Sequence, residues 1–93
     1  MSPSQRLVVY SKNGCPFCSL LKMELSKRSI RFEEIDLSDD QVRETFYKNT
    51  GVSTVPQVFL TDNYVTETEP SGIRLGGWNE VSSDWNRVSF LSP

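Results

Sequence analysis

The chain contains no histidine, which removes the commonest general base along with Ser-His, Cys-His and His-metal arrangements. Long apolar runs are missing too. Leu7-Val8-Val9-Tyr10 and Val58-Phe59-Leu60 fall far short of the roughly 20 residues needed to cross a bilayer, or the roughly 7–15 of a signal-peptide core. A soluble, unexported protein is expected. Ten basic against twelve acidic residues, with no basic block, give no electrostatic reason to expect nucleic-acid binding. With 93 residues, 37% of them hydrophobic, one domain with a thin core is expected over residues 1–93, and a large partner must dock on its surface. No repeat or linker interrupts it, and Ser92-Pro93 is expected to fray.

Cysteine is scarce, but its two copies, Cys15 and Cys18, are separated by only two residues. A disulfide scaffold spreads its cysteines to staple distant loops, whereas this pair would close a small ring and stabilise little. Zinc needs four ligands, and the chain offers no third cysteine and no histidine. Two unconnected buried cysteines are the remaining bland reading. The sequence around the pair argues against it.

Leu7 to Tyr10 reads as a strand buried on both faces, as in a parallel sheet. Ser11 to Gly14 breaks it, and from Pro16 the apolar spacing becomes helical, with Phe17, Leu21 and Leu25 widened by Leu20, while Lys22, Glu24 and Lys27 face water. Pro16 suits a first helical turn, which places Cys15 at the helix N-terminus. Phe32 to Leu37 reads as a second strand. Ser38-Asp39-Asp40-Gln41 has capping-box spacing, so a second helix starts there, with Val42 and Phe46 inward and Gly51 as its left-handed stop. Gln57 to Thr61 and Ile73 to Leu75 read as a hairpin. A last, weaker helical stripe, Val81, Trp85 and Val88 or Phe90, predicts a helix over Trp78 to Phe90.

A strand, a turn carrying Cys15-Pro16-Phe17-Cys18, and then a helix is an arrangement that makes a thiol reactive. Orphan N–H groups of the first turn and the positive end of the helix dipole favour the Cys15 thiolate, and such contexts lower a thiol pKa from about 8.5 into roughly the 3.5–7.5 range. Cys18, one turn into the helix, is within disulfide reach and more buried. Cys15 is therefore expected to attack and Cys18 to resolve. Lys12, on the same turn, either adds positive charge beside the sulfur or is a solvated loop lysine.

Three ordered motifs now carry a family resemblance: Tyr10-Ser11-Lys12-Asn13-Gly14-Cys15-Pro16-Phe17-Cys18, Thr54-Val55-Pro56, and Gly76-Gly77. Together they resemble the dithiol glutaredoxins of the thioredoxin-fold superfamily, over essentially the whole chain. The resemblance implies an α/β, thioredoxin-like fold, a four-stranded mixed sheet flanked by three helices, with a cis Val55-Pro56 bond against the cysteines. It also implies a glutathione groove. In that groove the Val55 backbone would pair with the tripeptide, Thr54 and Pro56 would shape the wall, and Lys12 and Arg43 would meet the glycyl carboxylate. Phe17 would flank it, and at the far end Gly77 would admit a close backbone approach while the Trp78 and Asn79 amides received the γ-glutamyl carboxylate.

Two departures stand out. Trp78-Asn79-Glu80 follows the glycines where the family commonly has Cys or Tyr and then Ser, Thr or Asp before Asp; Asn79 still caps but lacks an acid's charge, which Glu80 could supply with a longer reach. Nineteen residues separate Pro56 from Gly76, longer than the family's short hairpin, so residues 62–72 hold an insertion. Its tip is expected roughly 15 Å from the cysteines, as a solvated loop away from the chemistry.

The implied function is glutathione-dependent thiol–disulfide exchange on disulfide-containing or glutathionylated proteins in a reducing cytoplasm, by a monomer without metal. Ribonucleotide reductase is one client that the family suggests. Two alternatives remain: a dithiol donor reduced by thioredoxin reductase, and a carrier of a glutathione-ligated iron–sulfur cluster, which Pro16 disfavours.

Overall fold

The computed structural model describes residues 5–92, so Pro93, expected to fray, lies outside the described residues. Four strands, β1 (Arg6–Ser11), β2 (Phe32–Asp36), β3 (Gln57–Thr61) and β4 (Ile73–Gly76), form one mixed sheet in the order β2-β1-β3-β4. β1 runs parallel to β2 and antiparallel to β3, which is antiparallel to β4. A parallel neighbour needs a crossover, and α1 (Pro16–Lys27) provides it.

Central β1 is buried on both faces, with Leu7, Val8, Val9 and Tyr10 all at 0% exposure. Side chains alternate across a strand, and the core divides accordingly. Leu7 and Val9 join Leu21, Leu25, Val58 and Val81 on the side covered by α1, while Val8 and Tyr10 join Phe46 and Phe59 on the side covered by α2 (Asp40–Thr50).

The buried stripe of α1 is Cys18, Leu21 and Leu25. Phe17, expected to lie on it, is 56% exposed, because the second residue of this helix faces the groove described below rather than the sheet. The start of α2 also differs by one residue. Asp39, not Ser38, is the N-cap, its Oδ1 accepting from the amides of Gln41 and Val42 at 2.9 and 3.0 Å. The Ser38 hydroxyl instead bonds Asp36 and accepts from the Asn13 amide at 2.8 Å, tying the β1–α1 turn to the next loop. Gly51 ends α2 in the left-handed conformation, as its position predicts.

The expected final helix is broken, giving four helices rather than three: α3 (Trp78–Ser82) and α4 (Asn86–Ser89). Ser83 and Asp84 turn their side chains onto local backbone, Ser83 Oγ donating to Glu80 O at 2.8 Å and Asp84 Oδ1 accepting from the Asn86 amide at 3.1 Å. Such bonds compete with helical continuation.

Residues 62–72 are largely exposed, as expected of a solvated loop, but the segment is tied to the body of the protein. Val65 is buried against the Tyr10–Phe46–Phe59 cluster, the Tyr10 hydroxyl donates to Thr66 O at 2.9 Å, and Asn49 Nδ2 donates to Thr68 O at 2.9 Å. An apolar side chain and the unmet acceptor need of a buried phenol hold the segment against the α2 side. Around these anchors most of the segment, Tyr64 included, faces water.

Candidate active site

Cys15 is the N-cap of α1, in extended conformation, and Pro16 follows at the first helical position. Its carbonyl accepts the first helical bond from the Ser19 amide at 3.1 Å, while its Sγ accepts from the Cys18 amide at 3.2 Å. The sulfur thus sits where a side-chain oxygen sits in an ordinary helix cap. Cys15 and Cys18 are joined in a disulfide, with Cα atoms 5.2 Å apart. Cys15 is the more open of the two, 8% exposed against 1%. A donor amide and the helix dipole both favour negative charge on this sulfur once the bond is reduced.

On the other side, Cys15 Sγ lies 3.7 Å from the carbonyl oxygen of Val55. The Val55-Pro56 peptide is cis, and the Val55 N–H has no hydrogen-bond partner among the described residues. These residues form one wall of an open groove of about 460 Å³, whose other walls include Phe17, Gly77, Trp78 and Asn79. Gly76 adopts φ +111° at the turn between β4 and α3, and an added Cβ on Gly77 would come to 3.0 Å from Pro56 O. The turn needs both glycines.

Trp78 lines the groove and also packs on the core. Its indole stacks on Phe17 (6.4 Å, 19°) and meets Trp85 edge-on (6.2 Å, 66°), with the Arg28 guanidinium 4.0 Å over Trp85. Gly77, rather than Asn79, is the N-cap of α3, and the Glu80 carboxylate closes back on the Gly77 amide at 2.9 Å. That bond holds the Glu80 carboxyl below the usual carboxylate range, its own backbone amide assisting.

The fold therefore brings Phe17, Thr54, Val55, Pro56, Gly77, Trp78 and Asn79 to one groove beside Cys15 and Cys18. It does not bring Lys12 or Arg43 to the groove wall. Lys12 is half-buried in the turn. Arg43 is engaged by its own helix and the loop before it, donating to Leu37 O at 2.9 Å and to Asp40 Oδ1 at 2.7 Å, and the Asp40 bond raises its pKa. Of the groove residues that escaped sequence reasoning, two come from the sheet, Gln57 and Arg74. A polar residue opening an otherwise apolar strand was the available signal for Gln57. Alternation in β4, with Arg74 opposite in facing to buried Leu75, was the signal for the other.

The glutaredoxin family model matches residues 7–65. Glutaredoxin 1 of Rickettsia prowazekii is 36% identical over 62 residues, covering 63% of this chain and 65% of the relative, so the chain matches just under two thirds of that protein's length. Among solved structures, glutaredoxin 1 from Francisella tularensis, complexed with cacodylate, superposes with a TM-score of 0.72 at 27% identity, over 90% of this chain and 95% of its own. A buckwheat glutaredoxin–glutathione complex gives a TM-score of 0.67 at 27% identity, over 91% of this chain and 72% of the other. Structural likeness thus extends beyond residues 7–65, and with the cysteine pair capping α1 and Val55-Pro56 beside it, the chain belongs to the glutaredoxin family and has its thioredoxin-like fold.

Proposed function

We propose that this protein is a glutathione-dependent thiol–disulfide oxidoreductase acting on protein disulfides and glutathione mixed disulfides through the Cys15/Cys18 dithiol. The observation that carries the reading is the position of Cys15 Sγ, at the amide-rich end of α1 and 3.7 Å from Val55 O at the edge of the groove. The Cys15 thiolate attacks the glutathione sulfur of a mixed disulfide, forming a Cys15–glutathione disulfide and expelling the client thiolate, which takes up a proton. Two exits balance the electrons. A second glutathione thiolate attacks the bound glutathione sulfur, releasing oxidised glutathione and the Cys15 thiolate. Alternatively, the Cys18 thiolate attacks Cys15 Sγ and releases glutathione, and two further glutathiones then reduce the Cys15–Cys18 disulfide.

The groove residues fit a tripeptide of this kind. The free Val55 amide offers a strand-like partner to its cysteinyl backbone, Thr54 and Pro56 shape the adjacent wall, and Phe17 and Trp78 supply an aromatic flank. Gly77 clears space beside Asn79 for its γ-glutamyl end. Lys12 reaches toward the glycyl end only by swinging out of its turn, and Arg43 only by giving up Asp40. The working compartment is a reducing cytoplasm, the partners are glutathionylated or disulfide-bonded proteins, ribonucleotide reductase among those the family suggests, and the acting species is a monomer.

Because Lys12 and Arg43 stand off the groove, a thioredoxin-reductase-dependent dithiol donor remains a competing reading. The experiment that tests both is reduction of a glutathione mixed disulfide by wild type, Cys15→Ser and Cys18→Ser, with glutathione or with thioredoxin reductase as electron source. Glutathione-driven turnover that dies with Cys15→Ser and persists with Cys18→Ser supports the proposal and the division of labour. Turnover only with thioredoxin reductase overturns it.

A further inference from the structure

Among the described residues, two charged side chains line the groove, Arg74 and Glu80. Arg74 stands on the face of β4 opposite buried Leu75, and its Nη1 donates to Gln57 Oε1 at 3.1 Å. Gln57 is only 4% exposed, and its Nε2 is committed to Thr54 O and Oγ1 at 3.1 and 3.3 Å. The amide oxygen is therefore fixed toward the guanidinium. It uses one of five donors, and the other four have no hydrogen-bond partner among the described residues, while the side chain lines the groove.

Glu80 is held from the other side. Its Oε1 accepts from the Gly77 amide, leaving Oε2 without a partner among the described residues. The field of Arg74 is one of the influences keeping this carboxyl ionised, after the amides of Gly77 and of Glu80 itself. A cation anchored through Gln57 and an anion anchored through a backbone amide thus line the same groove as Gly77, each with polar atoms to spare. That pattern matches an α-amino acid head group, with its carboxylate and ammonium on one carbon. Lys12 and Arg43 offer no competing cation on this wall.

We propose that Arg74 is a specificity-determining residue that receives the α-carboxylate at the γ-glutamyl end of the thiol co-substrate, with Glu80 facing the ammonium. The inference rests on the glutathione reading of this groove and adds the charged pair that sorts one thiol from another. Guanidinium geometry suits a planar carboxylate held by two parallel bonds, which a lysine at the same place does not reproduce.

The test compares wild type, Arg74→Gln and Arg74→Lys with four reductants of one small mixed disulfide: glutathione, γ-glutamylcysteine, cysteinylglycine and cysteamine. For an exposed charge pair, Arg74→Gln is expected to raise KM for glutathione and γ-glutamylcysteine about five-fold. With cysteinylglycine and cysteamine, which lack the γ-glutamyl head, the change falls below about two-fold, and Arg74→Lys recovers only part of the loss. Denaturant midpoints of the three proteins report any general damage. A loss of equal size with all four thiols, or no loss with glutathione, overturns the assignment while the wild type still turns over. Failure of the wild type to use glutathione at all removes the groove reading, and this inference with it.

Discussion

The Tyr10 hydroxyl donates to the carbonyl of Thr66, 2.9 Å away and 56 residues along the chain. One bond thereby fastens the long β3–β4 connection to the central strand of the sheet. The ring itself stacks on Phe46 (4.5 Å) and meets Phe59 edge-on (5.7 Å), and Val65 closes the same cluster. Removing the hydroxyl leaves the Thr66 carbonyl, in a part-buried contact, short of a donor with no gain in packing. Tyr10→Phe is expected to destabilise the protein by about 1–2 kcal/mol in urea unfolding, and to speed amide exchange across residues 64–69 selectively. Uniform acceleration across the whole chain counts against this local anchoring.

The same phenol sets an alkaline limit. Burial, with the nearby Glu33 charge adding to it, pushes the Tyr10 pKa up to about 12 from 10.0. In the unfolded chain the phenol loses its proton near 10, while the folded protein keeps it, so the unfolded state binds fewer protons between these values. Stability from this group is complete below pH 10 and falls as pH rises toward 12, by about 2 kcal/mol in all. Unfolding midpoints measured from pH 8 to 11.5 in wild type and Tyr10→Phe read it directly. The wild-type curve is expected to fall toward the variant's, and parallel curves refute the assignment.

Much of this fold is legible in the sequence because its signals are local. A doubly buried apolar strand, Pro16 after a cap position, and Gly51 past a helix end each depend on a few neighbours, and each stands where the pattern puts it. The misses depend on partners distant in sequence. Ser38 and Asp39 are equally good caps, and bonds of the Ser38 hydroxyl to Asp36 and to the distant Asn13 amide assign Ser38 elsewhere. Val65 reads as a loop residue until Tyr10, Phe46 and Phe59 are assembled beneath it. Likewise, Arg43 and Arg74 are both plain surface arginines in sequence. What separates them is that Leu37 O and Asp40 claim the first, whereas Gln57 turns the second toward the groove.

Gly76 marks the tightest constraint on the groove. Its φ of +111° is one that residues with a side chain rarely adopt, and a Cβ there would lie 2.6 Å from Glu80 Cβ. Both effects act together, since Glu80 is held by its bond to the Gly77 amide and cannot simply swing aside. Gly76→Ala is expected to cost about 2–3 kcal/mol of stability and to break that bond. Guanidinium unfolding gives the first quantity, and the Gly77 amide exchange rate, expected to rise more than the global unfolding constant, gives the second. An unchanged midpoint contradicts the constraint.

At the opposite edge of the sheet, one carboxylate joins three elements. Glu34 Oε2 accepts from Lys22 Nζ of α1 and from Ser11 Oγ of β1, both at 2.6 Å, while Glu34 itself belongs to β2. Lys22 foremost, then the Ser11 hydroxyl, lowers the pKa of this carboxyl below its ordinary 4.5. A folded pKa below the unfolded one means that the stabilisation is complete above about pH 4.5 and is lost as acid protonates the folded group. Glu34 is substantially exposed, so screening keeps the contribution below about 1 kcal/mol. Glu34→Gln is therefore expected to lose part of its stability gap to wild type between pH 6 and pH 3, and the pH 6 gap is expected to shrink in 1 M salt. Ser11→Ala tests the buried half of the contact: Ser11 is 1% exposed, so its share should resist salt while that of Lys22→Met does not. Equal salt sensitivity of the two variants indicates that water reaches the whole bridge and that the Ser11 bond adds nothing of its own.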